Sequence, residues 1–129
     1  MKILRNVAVK QILTESSRQK LLDGYGKRKL QLEKECGQLK FERKKLEKAG
    51  RLPVADIKKQ FENELRSRKE RIAQLEFQIR QLHMLPLGSE LKETEVQAVI
   101  DIKPGDSWDG GLFQEIIIRD GIIEEIRKR

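Results

Sequence analysis

Apolar positions in the middle of the chain recur at alternating spacings of three and four. Before residue 50 the stripe runs Leu22, Tyr25, Leu32, Cys36, Leu39 and Leu46, with Lys29 and Arg43 in the two remaining slots. After it come Phe61, Leu65, Ile72, Leu75, Ile79 and Leu82, with Lys58 and Arg68 as exceptions. A stripe this narrow is that of a coiled-coil seam, too thin for a helix in a globular core. Laid back to back, the two arms share one register that satisfies every layer. Leu22 faces Leu82, Tyr25 faces Ile79, Leu32 faces Ile72 and Leu39 faces Leu65. The mixed layers Lys29 with Leu75, Cys36 with Arg68, Arg43 with Phe61 and Leu46 with Lys58 never oppose two charges. The midpoint is Leu52 in "AGRLPV", where Gly50 suits a helix C-terminal turn and Pro53 the first turn of the next helix. Acid-first pairs four residues apart, Asp23 to Lys27, Glu47 to Arg51, Glu62 to Arg66, Glu64 to Arg68 and Glu76 to Arg80, each add ~0.3–0.5 kcal/mol and favour long solvated helices. Gly24 and Gly26 each cost ~1 kcal/mol relative to Ala, so the first arm is expected to bend or fray there.

The two ends of the chain switch to a period of two. "NVAVKQIL" alternates Val7, Val9 and Leu13, and Thr14 then stands as a helix N-cap. "EVQAVIDIK" alternates Val96, Ala98, Ile100 and Ile102 and stops at the turn Pro104, Gly105, Asp106. In "FQEIIIRDGIIEEI", Asp120-Gly121 separates two β-branched runs as the two-residue turn of a β-hairpin. About four strands are predicted. Packed helices bring residues near 14 and 86 to about 10 Å of each other, so both ends can join one sheet. Ile116, Ile117 and Ile118 alternate between its faces, as do Ile122 and Ile123, so some cover is required. A strongly curved barrel or a second copy of the chain would supply it, and a sheet this small favours an oligomer. The predicted fold is α+β: a long antiparallel two-helix coiled-coil hairpin inserted into a small antiparallel β-sheet or barrel formed by both chain ends. The sheet takes residues 1–13 with 87–129, and the hairpin takes residues 14–86 with its tip near 50–53.

Composition agrees with a small core. Of the 129 residues, 38% are charged and 37% apolar, with 5% aromatic, which is more polar than one large core needs. In "MKILRNVAVKQIL", Arg5, Asn6 and Lys10 interrupt the apolar residues, so neither a secretory leader nor a membrane span is expected, and the predicted location is cytoplasmic. A single cysteine, Cys36, is expected as a reduced thiol. The net charge of +7 is unevenly spread: residues 15–84 hold 19 Lys and Arg against 11 acids, and residues 85–126 hold 3 against 10. The chain is therefore electrically polarised, basic in the predicted hairpin and acidic over residues 85–126, with the basic Arg127, Lys128 and Arg129 following.

No catalytic or ligand signature stands out, so no enzyme activity, cofactor, metal or small-molecule substrate is predicted. His83 has no nucleophile to activate and reads as a surface or capping residue. Cys36 opposite Arg68 invites a redox reading, but a small seam residue explains it better. Asp101, Asp106 and Asp109 in "DIKPGDSWDGG" lack the spacing of a calcium loop and read as a strand-ending turn. Trp108 has two readings, an anchor for a partner or a side chain packed over the sheet. "GYGKRK" lacks the frame of a phosphate loop. The one candidate site is the basic tip, with Lys40, Lys44, Lys45, Lys48, Arg51, Lys58 and Lys59 as the contacts for RNA or another anion. Read as lacking interleaved aromatics for base stacking, the same run is also explained by a solvated helix surface.

"VAVKQILTE" at 7–15, "RKLQLEKECGQLKFERKKLEK" at 28–48 and "DGIIEEIR" at 120–127 resemble the YlqD family of small bacterial proteins, and the resemblance runs from end to end. It implies no activity, cofactor or catalytic residue. Family genes tend to lie beside genes for ribosomal RNA processing and transfer RNA methylation, which implies a translation context. The leading expectation is a non-catalytic binding or scaffolding module that forms a homo-oligomer through its sheet. The rival is an RNA- or ribosome-associated factor that uses the basic tip on ribosomal RNA.

Overall fold

A computed structural model describes residues 1–108 and 114–128. In chain order it contains β1 (Lys2–Ile12), α1 (Glu15–Ala49), α2 (Val54–Met84), β2 (Glu90–Asp101), β3 (Gln114–Arg119) and β4 (Ile122–Lys128). The fold is α+β, two helices with a four-stranded sheet to which both chain ends contribute. It divides into two compact units, Met1–Gln19 with Leu85–Arg129, and Lys20–Met84.

The strand order is β2-β1-β3-β4. β1 runs antiparallel to β2, from Lys2 opposite Asp101 to Ile12 opposite Glu90. On its other edge it runs parallel to β3, from Ala8 beside Glu115 to Gln11 beside Ile118. The sheet is therefore mixed and open, which corrects the expectation of an antiparallel sheet or barrel. Instead β1 inserts between β2 and β3, and the change of edge leaves β3 parallel to β1. β3 and β4 form the predicted hairpin, with Asp120 at φ 47 and Gly121 at φ 80 in the tight turn.

Alternation along β1 buries Val7 and Val9 on one face. The strand registers place Ile12, Ile117, Lys10, Glu115, Glu90 and Arg127 on the other face. Ile117 is fully buried there, and Lys10 reaches the buried Glu115 at 3.2 Å. Arg127 of β4 bonds Glu90 of β2, although two strands lie between them. Three strand spacings in a flat sheet would hold β2 and β4 about 14 Å apart, so the sheet curls toward this face without closing. Hydrogen bonding from Arg127 holds the Glu90 carboxyl below its ordinary range, and the charge of Lys10 adds to this.

Thr14 converts strand into helix. Its hydroxyl accepts the Ser17 N–H at 3.1 Å, while its own N–H donates to the Ser17 hydroxyl at 2.8 Å, a reciprocal cap. The Thr14 hydroxyl also donates to Asp120 Oδ1 at 2.6 Å, fastening the β3–β4 turn. The returning chain lies alongside: Leu13 donates to the Ser89 carbonyl and Gly88 to the Leu13 carbonyl, both at 2.8 Å. Arg18 donates to the Leu85 carbonyl.

In the helical unit, α2 buries Ile57, Phe61, Leu65, Leu75 and Leu82. α1 buries Cys36 and half-buries Leu22, Tyr25, Leu32 and Leu39. Ion pairs Lys29–Glu76 at 3.4 Å and Glu35–Arg68 at 3.9 Å join the helices, each within one position of its predicted layer. α1 passes unbroken through Gly24 and Gly26, against the expected bend. Leu22 and Tyr25, half-buried beside them, hold the backbone that glycine loosens. Near the tip the seam departs from prediction: Ile57 is 1% exposed, whereas Lys58 turns outward toward Glu62 and Leu46 is 39% exposed. Leu65, Phe61 and Ile57 follow at steps of four, the drift of a straight 3.6-residue helix away from a strict heptad. Glu64 pairs with Arg68 as predicted, at 2.6 Å. Glu47, Glu62 and Glu76 are instead engaged by Arg43, Lys58 and Lys29.

Gly24→Ala and Gly26→Ala are each expected to stabilise the chain by about 1 kcal/mol, because a Cβ at either position meets nothing within 4 Å; urea unfolding reads the gain. For Glu90 the depressed folded pKa sets the sign. Its contribution is present above the ordinary value of 4.5 and is lost as pH falls through the lower folded value. Glu90→Gln should thus lower stability at neutral pH and flatten the fall in stability below pH 4.5, as followed by acid titration of the unfolding midpoint.

Candidate nucleic-acid interface

α1 and α2 leave a furrow of 350 Å³ between them near the tip, lined by Lys40, Arg43, Lys44, Glu47, Leu65 and Lys69. The 3.6-residue turn puts Lys40, Arg43, Lys44 and Glu47 on one side of α1. Lys69 comes from α2, one turn from the buried Leu65 that floors the furrow. Arg43 and Glu47 neutralise each other at 3.0 Å, so the lysines carry the net charge. An adjoining recess shares Arg43, Leu65 and Lys69 and adds Arg66 with Glu62 and Glu70.

Of the predicted tip contacts, Lys40 and Lys44 meet in this furrow. Lys45 lies elsewhere on α1, its ammonium 6.0 Å from the centre of the Phe41 ring. Lys48, Arg51, Lys58 and Lys59 are exposed and line neither recess, and Lys58 reaches Glu62 at 3.9 Å. Two residues escaped sequence reasoning. Lys69 lies 25 positions beyond Lys44 and joins it only because the helices fold together; the predicted register, which sets Leu39 opposite Leu65, could have found it. Phe41 is 65% exposed amid the lysines, which corrects the reading that the run lacks an aromatic residue available for stacking. Its signal was its place outside the apolar seam.

Trp108 is 58% exposed, with the Arg5 guanidinium 5.1 Å from its ring centre. Its ring therefore lies against β1 and still presents a surface. Cys36 is a buried free thiol, and the nearby Arg68 is raised in pKa chiefly by its hydrogen bond to Glu64. His83 is exposed in the last turn of α2. Asp106 accepts the Lys103 N–H at 3.0 Å, as a turn residue does, and Asp109 lies outside the described residues. Among the described residues no His, Cys, Asp and Glu group could hold a metal ion, and no helix is long and apolar enough to cross a membrane.

The whole-chain comparisons agree with the architecture. The family model described as YlqD protein matches residues 1–127. The Uncharacterized protein YlqD of Bacillus subtilis (strain 168) is 45% identical over 130 residues, covering all of both chains. A crystal structure of a protein of unknown function from Synechococcus sp. WH 8102 superposes with a TM-score of 0.85 over 98% of this chain and 96% of that one. At 20% identity, that likeness concerns the fold alone. With a matched family model spanning both helices and all four strands, and a full-length relative at this identity, the chain belongs to the YlqD family.

Proposed function

We propose that the protein is a non-catalytic binding or scaffolding module that assembles with a second copy through its sheet. The observation that carries this reading is β4. It is the outer strand of an open sheet, and its Ile122, Ile123 and Ile126 are 72%, 59% and 61% exposed. An outer strand offers unpaired backbone donors and acceptors, and the exposed Ile123 and Ile126 share one face, opposite Ile118 and Ile116, while Ile122 lies on the other. Charge favours a second copy as the occupant. Two β4 strands paired antiparallel about Ile126 set Glu125 opposite Arg127 and Glu124 opposite Lys128, both attractive. In the same reading the helices pair as an antiparallel coiled coil that keeps the register read from sequence away from the tip, supported by the Lys29–Glu76 and Glu35–Arg68 ion pairs. The chain should run at twice its own mass in light scattering, and an Ile123→Lys, Ile126→Lys double variant at the mass of one chain. A wild-type monomer at the highest soluble concentration overturns the reading.

A second reading, association with RNA or a ribosome, is favoured by the furrow itself, where Lys40, Lys44 and Lys69 converge from two helices. Such a cluster fits phosphates in a fixed geometry with little base reading. Titration with ribosomal RNA over a salt series tests it. Charge reversal of Lys40, Lys44 and Lys69 should weaken binding and reduce the salt slope by roughly 2, at about 0.7 per single-strand phosphate contact. Absence of binding at low salt removes this reading.

A further inference from the structure

Phe41 poses a problem that the seam does not solve. A phenylalanine on α1 that is 65% exposed lies outside the packed stripe, where a polar residue would serve solubility better. Its surroundings are specific. Lys34, Gly37, Gln38, Glu42 and Lys45 share with it a shallow open recess of 620 Å³ on the surface of α1. Residues 34, 37, 38, 41 and 45 fall on one stripe of a helix. Helical side chains lean toward the N-terminus, so the Phe41 ring lies over the turn that carries Gly37 and Gln38.

Gly37 is one of three glycines in α1 with open space around them, and it is the one that lines this recess. It sits inside a 35-residue helix, where glycine disfavours the helical state relative to alanine. Neither of the ordinary structural reasons for glycine applies, since it is not among the positive-φ residues and a Cβ there would meet nothing within 4 Å. What the missing side chain does leave is room beside the ring. The lysines then mark the two ends of that room, with Lys45 Nζ 6.0 Å from the ring centre and Lys34 two turns before it. A flat apolar face with free space next to it, an amide beside it and cations at both ends matches a stacked base with its flanking phosphates. An apolar protein helix would fill the space but would leave the lysines without counter-charge, so the charges favour the nucleic acid.

We propose that Phe41 is a stacking shelf for an unpaired nucleobase of single-stranded RNA. Gly37 provides the space, Gln38 offers its amide to the base edge, and Lys34 and Lys45 hold the neighbouring phosphates. The shelf rests on the second reading above and adds to it a preference for unpaired strands.

The test uses the full chain, labelled oligouridylate and an RNA duplex of equal length, read by fluorescence anisotropy. Wild type should bind the single strand more tightly than the duplex. Phe41→Ala should weaken single-strand binding about 10- to 100-fold with an unchanged salt slope, because stacking releases no counterions. Phe41→Trp should retain binding, and in a Trp108→Phe background its emission should be quenched by the oligonucleotide. Gly37→Leu should raise the unfolding temperature, as helix propensity demands, and yet weaken single-strand binding at least fivefold. That opposition separates the shelf from a structural role. If Phe41→Ala and Gly37→Leu bind as wild type while reversal of Lys40, Lys44 and Lys69 abolishes binding, the shelf is wrong and RNA association stands. If wild type binds neither RNA at low salt, both fall. If an acidic amphipathic peptide binds wild type but not Phe41→Ala, and RNA does not compete, the recess belongs to a protein partner and the proposal is overturned.

Discussion

The first strand of this chain must find backbone partners on both of its edges, and much of the architecture follows from that requirement. β1 pairs antiparallel with β2 along its length and parallel with β3 from Ala8 to Gln11, so over that stretch its N–H and C=O groups find partners on both sides. Both partners come from the far end of the sequence. The 35-residue and 31-residue helices must therefore bring the chain back to where it left the sheet. Thr14 is the point of departure, and the Leu13 bonds to Gly88 and Ser89 fix the point of return. The bond from Thr14 to Asp120 ties the β3–β4 turn to the same place.

A central first strand also explains how charge is distributed within the sheet. Lys10 meets the buried Glu115 on its neighbour, and Arg127 reaches Glu90 across the curl. A buried carboxylate without a cation would be costly. Curvature lets β2 and β4 contact each other through side chains while leaving their outer backbone edges open. β2 fills its edge with Lys92, Glu93, Thr94 and Glu95, all exposed, the usual protection against unwanted pairing. β4 carries three exposed isoleucines, and β2 exposes Val96 and Val99 beyond its charged stretch.

Local order was legible in the sequence and long-range order was not. The seam of α2 was visible because Phe61, Leu65, Leu75 and Leu82 repeat with a period that depends only on helix geometry. Asp120-Gly121 was visible because few dipeptides tolerate positive φ at both positions. Strand order was hidden, since no local pattern states that β1 slips between β2 and β3. The tip shows both sides of this. Ile57 displaced Lys58 from the seam where a heptad count accumulated a small angular error, and Lys69 joined Lys40 and Lys44 through tertiary folding alone. Phe41 was legible and was overlooked, because residues outside a periodic stripe were treated as solvated surface.

The placement of β1 has a consequence for how the protein is made. Its residues leave the ribosome before those of its partner strands, and the strand that pairs with its second edge begins at Gln114. At synthesis rates of about 5–20 residues per second, β1 waits several seconds with at least one edge bare. The helical pair lies between and can form by itself in that interval, from contacts near in sequence. Translation thus delivers both helices before the sheet is complete, and Val7, Val9 and Ile12 stay exposed to neighbouring nascent chains until β3 has emerged.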